Sequence, residues 1–205
     1  LREAITAAQD GDLINFSSLF NTPQTINLLT ALPVITRSIT IQGTGANLLT
    51  VRRAFNAATD FRIFTIGQSV TNGVAVSGMA ITGGNAADGL FGGGIFSSGH
   101  LVLKNVHVHG NTAQSGGGVN LSFSGGVFTN SAFSGNVSTS PVNSGGAINF
   151  AGSNGAALRV HASTVSGNRS AGSGGGISNA SPGQERESRL EITDSTIADN
   201  AGGGI

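Results

Sequence analysis

Carboxylate and basic side chains are the first candidates for chemistry in this chain, and they are few. The 205 residues include ten Asp and Glu, ten Lys and Arg, and four His. Their densest group is the acid–base cluster Glu185, Arg186, Glu187 and Arg189, which we take as weak ligand-binding candidates. Two interpretations stay open: a solvated loop between strands, which is favoured, or a protruding loop that binds a ligand or a partner.

Polysaccharide cleavage requires acidic side chains in a specific arrangement. Glycoside hydrolysis needs two carboxylates that lie a few ångströms apart, and a calcium-assisted lyase needs clustered acids with an Arg or Lys base. When the repeats described below are aligned, no two acids occupy neighbouring outward positions. The sequence therefore predicts no catalytic residues, and an enzyme is the less favoured alternative.

Histidines offer the one spacing that suits a metal. His107 and His109 would lie on the same outward face of a strand, and such a pair could bind a metal ion. No third ligand is apparent, and ordinary surface positions explain His100, His107, His109 and His161 more simply. We therefore predict no metal site and no cofactor. The absence of cysteine excludes disulfides and thiolate sites.

Composition excludes further functions. The formal net charge is zero, and Trp and Tyr are absent, which argues against nucleic-acid binding. No apolar stretch is long enough to span a membrane. The 33 glycines occur at fixed places between apolar segments rather than as a flexible linker, which favours a β-structure.

The glycines mark an internal repeat. A run that leads into Ile or Val begins at Gly92, Gly116, Gly145, Gly174 and Gly202, so that successive runs start 24, 29, 29 and 28 residues apart. Strand-like blocks that end in Asn lie between the runs. A period of this size is typical of an architecture of stacked coils.

Alignment of the blocks separates inward from outward positions, because strand residues alternate sides. The predicted inward columns are Val108, Phe133, Val165 and Ile197; Leu103, Phe128, Val160 and Ile192; and Leu101, Gly126, Leu158 and Leu190. The predicted outward residues are Val102 and Lys104, Val127 and Thr129, Arg159 and His161, and Glu191 and Thr193. Arg159 and Glu191 are expected to form an exposed ion pair across neighbouring rungs.

The asparagines form a column of their own, which we predict to be a structural turn ladder of Asn111, Asn136, Asn168 and Asn200. Tight corners need positive φ, which Gly adopts freely and Asn tolerates. Asn side chains can also cap turns and hydrogen-bond to one another along a stack.

We predict a single domain over residues 1–205, with an N-terminal cap at 1–16, irregular coils at 17–81 and regular coils at 82–205. In the cap, Leu1, Ile5 and Ala8 share one face of a short helix that would cover the end of the stack. Residues 74–76 and 79–81 are expected to form one strand together, and Gly78 is expected to supply a turn. Because residue 205 falls inside a repeat, we expect that the natural stack of coils continues beyond it.

Two motifs carry a family resemblance. Gly145-Gly146-Ala147-Ile148 is a GGAI motif and Phe133-Ser134-Gly135-Asn136 an FxxN motif, and together they resemble the repeats of polymorphic outer membrane proteins. The opening segment, residues 1–5, resembles bacterial β-helix surface proteins that begin with a CSLREAI-type sequence. The resemblance implies an all-β, right-handed parallel β-helix at a bacterial surface, adhesive or structural in role and without catalytic residues.

The functional expectation follows from these points. We expect a non-catalytic, extracellular or bacterial cell-surface β-helix that acts as an adhesive or structural module. Glycans, other surface proteins and a second copy joined through the coil ends are the partners considered, and nucleic acid is not. The alternative is a β-helix that binds or degrades polysaccharides.

Overall fold

The chain folds as an all-β parallel β-solenoid of about six turns with one short N-terminal helix, which confirms the predicted fold class. A computed structural model describes residues 1–142, 144–153, 155–180 and 188–205. Its strands form four parallel sheets, which a regular coil visits in the order A, B, D and C.

Sheets A and B each contain seven strands in the described part of the chain. Sheet A consists of β1 (Leu13–Asn15), β3 (Thr40–Gln42), β6 (Val74–Ser77), β10 (Leu101–Lys104), β14 (Gly126–Thr129), β18 (Ala157–His161) and β22 (Arg189–Thr193). Sheet B consists of β2 (Gln24–Leu28), β4 (Leu49–Arg53), β7 (Ala80–Thr82), β11 (His107–His109), β15 (Ala132–Ser134), β19 (Thr164–Ser166) and β23 (Thr196–Ala198).

The other two sheets begin later in the chain. Sheet C consists of β5 (Phe64–Ile66), β9 (Ile95–Ser97), β13 (Val119–Ser122), β17 (Ile148–Ala151) and β21 (Ile177–Asn179). Sheet D consists of β8 (Asn85–Phe91), β12 (Thr112–Ser115), β16 (Val137–Ser138) and β20 (Arg169–Ser170). The earlier coils therefore contribute to sheets A, B and C, and sheet D belongs to the coils from β8 onward.

The three predicted inward columns are confirmed by the strand register. Their residues belong to one continuous hydrophobic core that runs along the solenoid axis. Gly126 is the one small member of its column, and the ring of Phe128 fills the space beside it: a Cβ on Gly126 would lie 3.2 Å from the Phe128 ring. Close packing of this kind favours a single register for the stack.

The Asn column is a continuous hydrogen-bonded ladder inside the corner between sheets B and D. The Nδ2 of Asn111 donates to Oδ1 of Asn136 (3.0 Å), Asn136 donates likewise to Asn168 (3.0 Å), and Asn168 donates to Asn200 (2.9 Å). The backbone N–H groups of Asn111, Asn136 and Asn168 donate to the same oxygens. Each amide thus satisfies polar groups of two neighbouring coils in a buried setting.

Positive φ at this corner falls on the residue before each ladder Asn, which corrects the expectation that Asn itself would take that conformation. These left-handed residues are Gly110, Gly135, Gly167 and Asp199. Asn adopts the left-handed region at the corner between sheets A and B instead, at Asn105 (φ 54°) and Asn130 (φ 49°). The ladder residues therefore act through their side chains and not through their backbone freedom.

The glycine runs allow the coils to approach one another closely between sheets D and C. Gly116 has a φ of 63°, a conformation that strains other residues. A Cβ on Gly117 would lie 2.6 Å from the carbonyl oxygen of Gly146 on the next coil and would also overlap the carbonyl of Val137. Neighbouring runs are hydrogen-bonded backbone to backbone, so a side chain at either of the first two positions of a run would force them apart. The third position accommodates the buried Ala147 in one coil.

Residues 74–81 form two strands rather than the single one expected, and the turn expected at Gly78 separates them. Gly78 takes a φ of 61° between β6 and β7, which places the two strands in different sheets. A Cβ on Gly78 would overlap the carbonyl of Gly43 on the preceding coil. The corner is therefore set by contact between two glycines that are distant in sequence.

The N-terminal helix α1 (Arg2–Ala7) packs on the first coil, as predicted, with Ile5 and Ala8 buried and Leu1 half-buried against the core. The guanidinium of Arg2 donates to the carbonyl oxygens of Ala31 (2.6 Å) and Thr30 (2.9 Å). In the described parts of the chain, no helix combines the length and the apolar character that crossing a bilayer requires.

Substitution of Asn136 by Leu tests the ladder. The change removes the side-chain acceptor of the Asn111 N–H and the side-chain donor to the Val108 carbonyl. It also removes one of the three acceptors of the Asn111 amide and one of the two donors to Oδ1 of Asn168. Because buried polar groups cost about 1–3 kcal/mol each when unpaired, we expect a loss of about 4 kcal/mol in the free energy of unfolding, measured by urea denaturation.

The matched control is Asn27→Leu on the exposed face of β2, which should change stability by less than about 0.5 kcal/mol. Equal effects of the two substitutions would show that the ladder contributes nothing beyond an ordinary surface amide.

Candidate functional site

The outward side chains of sheet A form two straight columns, which we call the first and second outer columns. The register places Leu13, Thr40, Ala75, Val102, Val127, Arg159 and Glu191 in the first. The second consists of Asn15, Gln42, Ser77, Lys104, Thr129, His161 and Thr193. Neighbouring members are about 4.8 Å apart, the spacing of paired strands. The predicted outward positions are therefore confirmed.

The columns border a groove in their earlier half, which we call the sheet A groove. Two adjoining depressions of about 450 and 210 Å³ share Thr40, Ala75 and Val102 as their common lining. Turns that contain glycine form both sides of the groove. On one side the N–H of Gly43 donates to the carbonyl of Ser77, and the N–H of Gly45 donates to that of Gly78 (both 2.8 Å), so this wall is held by the backbone.

Polar side chains of the groove are free to meet a ligand. The hydroxyls of Thr40 and Ser77, the amide of Gln42 and the ammonium of Lys104 make no hydrogen bond or ion pair with any other group in the described residues. Lys104 and Gln42 are exposed, and Thr40 and Ser77 are half-buried. The groove therefore presents donors and acceptors beside a small apolar floor.

The later half of the same face is already paired within the protein. Glu191 accepts from Nε of Arg159 (3.0 Å) and from Nε of Arg189 (2.9 Å), and the first of these is the predicted ion pair. The ring of His161 lies 2.9 Å from the hydroxyl of Thr193. These groups have less to offer a ligand, because they satisfy one another.

Only one residue of the predicted ligand-binding cluster, Arg189, is among the described residues. Glu185, Arg186 and Glu187 lie outside the described residues. Arg189 opens β22, is largely exposed and is paired with Glu191 as described above. Arg189 does not line the sheet A groove, and the residues that do line the groove form no sequence motif.

The described carboxylates act locally rather than together. Asp10 accepts from the backbone N–H of Ser38 on the next coil (2.6 Å), and Asp12 accepts from that of Gln9 within its own turn (2.8 Å). Asp60 pairs with Arg53 (3.1 Å). Within the described residues, no three of the side chains His, Cys, Asp and Glu come together as a metal-binding group.

The paired histidines lie on the outer face of sheet B, on β11. Their ring centroids are 4.3 Å apart and both side chains are half-buried. Burial lowers the pKa of His107, and burial together with the neighbouring His107 lowers the pKa of His109. The lowered pKa favours the neutral form of each ring, in which one ring nitrogen carries a lone pair.

No protein-family model, curated protein or solved structure matches this chain. Functional inference therefore starts from the geometry of the two faces described above.

Replacement of Glu191 by Gln tests the charged half of the sheet A face. We expect the free energy of unfolding to fall by less than about 1 kcal/mol, because the ion pairs are exposed, and the effect should shrink in 1 M salt. Thr193→Ala, two residues further along β22, is the uncharged control, and its effect on the free energy of unfolding should not depend on salt. A loss of several kcal/mol from E191Q would contradict this assignment of an exposed pair.

The histidine pair also predicts a dependence of stability on pH. Because the folded-state pKa of both rings is lowered, the unfolded chain binds protons first as the pH falls below about 6.5, and stability is lost there. The double variant H107Q/H109Q should lose less in melting temperature between pH 7.5 and 5.5 than the parent chain. S166A on the same face removes no titrating group and should lose as much melting temperature between the two pH values as the parent chain. If the double variant also loses as much as the parent chain, the lowered pKa values of the two histidines are contradicted.

Proposed function

We propose that this chain is a non-catalytic β-solenoid that binds a polysaccharide along the sheet A groove. The observation that carries the proposal is the set of four polar side chains that line the groove without a partner among the described residues, namely Thr40, Gln42, Ser77 and Lys104. Hydrogen-bonding groups left free in a preformed groove are what a hydroxyl-rich ligand can use without displacing internal contacts.

Spacing and chemistry favour a sugar polymer as the ligand. Rungs about 4.8 Å apart repeat on a scale close to one unit of an extended glycan. Hydroxyl, amide and ammonium groups can donate to sugar oxygens, and Ala75 and Val102 offer small apolar surfaces to sugar C–H groups. Because no aromatic side chain lines the groove, affinity at one site is modest and gains from several contacts along the chain.

The setting that we propose is extracellular, at a bacterial surface, where the solenoid serves as an adhesive module. Support comes from the resemblance of the GGAI and FxxN motifs to polymorphic outer membrane protein repeats and from the stiffness that stacked coils confer. Degradation of the bound polysaccharide is less favoured, because the described carboxylates do not converge on the groove.

Blocking the groove tests the proposal. Binding of neutral and uronate-bearing hexasaccharides of the cellulose, xylan and chitin types would be measured by calorimetry and by NMR titration. Ala75→Trp should weaken binding at least about tenfold, because the indole fills the groove floor. Gln42→Ala and Ser77→Ala should each weaken it about threefold to tenfold, the value of one or two hydrogen bonds.

Ser166→Trp is the matched control, since Ser166 is a half-buried outward residue of sheet B away from the groove. It should bind as the parent chain does. Absence of binding across the panel, or equal loss in A75W and S166W, would refute the proposal. Mass spectrometry of the sugars would reveal cleavage, and sedimentation that A75W alters would indicate that the groove packs against a second copy instead.

A further inference from the structure

The histidine pair on sheet B has the construction of a small metal chelate. His107 and His109 are separated by one residue on β11, so their rings project from the same face, and the rings lie side by side with 4.3 Å between centroids and 32° between planes. Side chains two apart on a strand can reach one ion, which is how many metal sites on sheets are made.

Each histidine has one ring nitrogen within hydrogen-bond distance of a hydroxyl on a neighbouring strand. Ser134 Oγ on β15 lies 2.8 Å from Nε2 of His107, and Thr82 Oγ1 on β7 lies 3.3 Å from Nδ1 of His109. The other nitrogens, Nδ1 of His107 and Nε2 of His109, make no hydrogen bond in the described residues. A hydroxyl that accepts an N–H fixes the tautomer and leaves the opposite nitrogen with its lone pair, which is the usual outer support of a metal-binding histidine.

The surroundings select the kind of ion. The outward residues on the strands either side are Ala80 and Thr82 on β7 and Ala132 and Ser134 on β15, none of which titrates. Without a carboxylate, the pair offers imidazole nitrogen alone, which suits Cu²⁺, Ni²⁺ and Zn²⁺ and is poor for Mg²⁺ or Ca²⁺. Arg52 on β4 lies in the same column as His109, two strands away, with Thr82 between them.

We propose that His107 and His109 bind one divalent transition-metal ion through Nδ1 of His107 and Nε2 of His109, with Ser134 and Thr82 orienting the rings. Water fills the remaining coordination positions. His107 also lines a shallow groove of about 670 Å³ along the corner between sheets A and B, so the open positions face a surface that a ligand can reach. Lowered pKa values favour the site, because imidazole must be deprotonated to bind a metal. This inference does not depend on the sheet A groove.

Calorimetric titration of the tag-free chain with Cu²⁺, Ni²⁺ and Zn²⁺ chlorides at pH 7.5 tests the proposal. We expect one ion per chain. H107Q and H109Q should each lose at least about tenfold in affinity, and so should S134A, which keeps both histidines and removes only the outer hydroxyl. The Cu²⁺ electron paramagnetic resonance spectrum should show coupling to two nitrogens, reduced to one in H109Q.

H161Q is the matched control, because His161 also lies on an outer strand face against a Thr hydroxyl but has no second histidine beside it. It should bind the metal as the parent chain does. Circular dichroism would establish that each variant is folded. An affinity that H107Q and H109Q leave unchanged, no binding in the parent chain, or an S134A variant that binds as tightly as the parent would overturn the assignment.

Discussion

In-register stacking of the coils is the constraint on which every other feature of this molecule depends. A parallel strand satisfies its backbone groups only through the strands of the coils before and after it, so no coil is stable alone. A slip of one residue would turn each inward side chain to the solvent. The Asn ladder reinforces the register from within, because each amide bonds to backbone and side-chain groups of adjacent coils. The glycine runs permit it, because the coils come closest at the first two positions of the runs, where a Cβ does not fit.

Stacking turns a periodic sequence into flat outer faces, and the functional character of a face depends on which of its side chains already have partners. The sheet A face illustrates this in one pair of columns. Around Glu191 the charged groups neutralise one another, whereas around Ala75 the hydroxyls, the amide and the ammonium are left open beside a groove. The sheet B face shows an intermediate case, in which hydroxyls occupy one nitrogen of each histidine and leave the other available.

Sequence reasoning succeeded where the repeat is regular and failed where contacts cross irregular coils. The columns through Phe128 and Phe133 and the Arg159–Glu191 pair were predictable, because alignment on the Asn residues fixes both register and side. The sheet A groove was not, because Thr40 and Ala75 belong to coils without a glycine run to align. The turn at Gly78 was predicted, but the change of sheet that it makes was not, because it depends on contact with Gly43. The hydroxyls that flank the histidines belong to other coils, so the His-x-His spacing alone did not reveal them.

The most direct test of this account is a nuclear Overhauser experiment on the folded chain with labelled methyl groups. In-register stacking places the methyls of Val102 and Val127 side by side on the outside and those of Leu158 and Leu190 side by side on the inside. We predict cross-peaks within each of these sets and none between the outer and inner sets. Cross-peaks that join Val127 to Leu158, or the absence of contacts between neighbouring coils, would contradict the account.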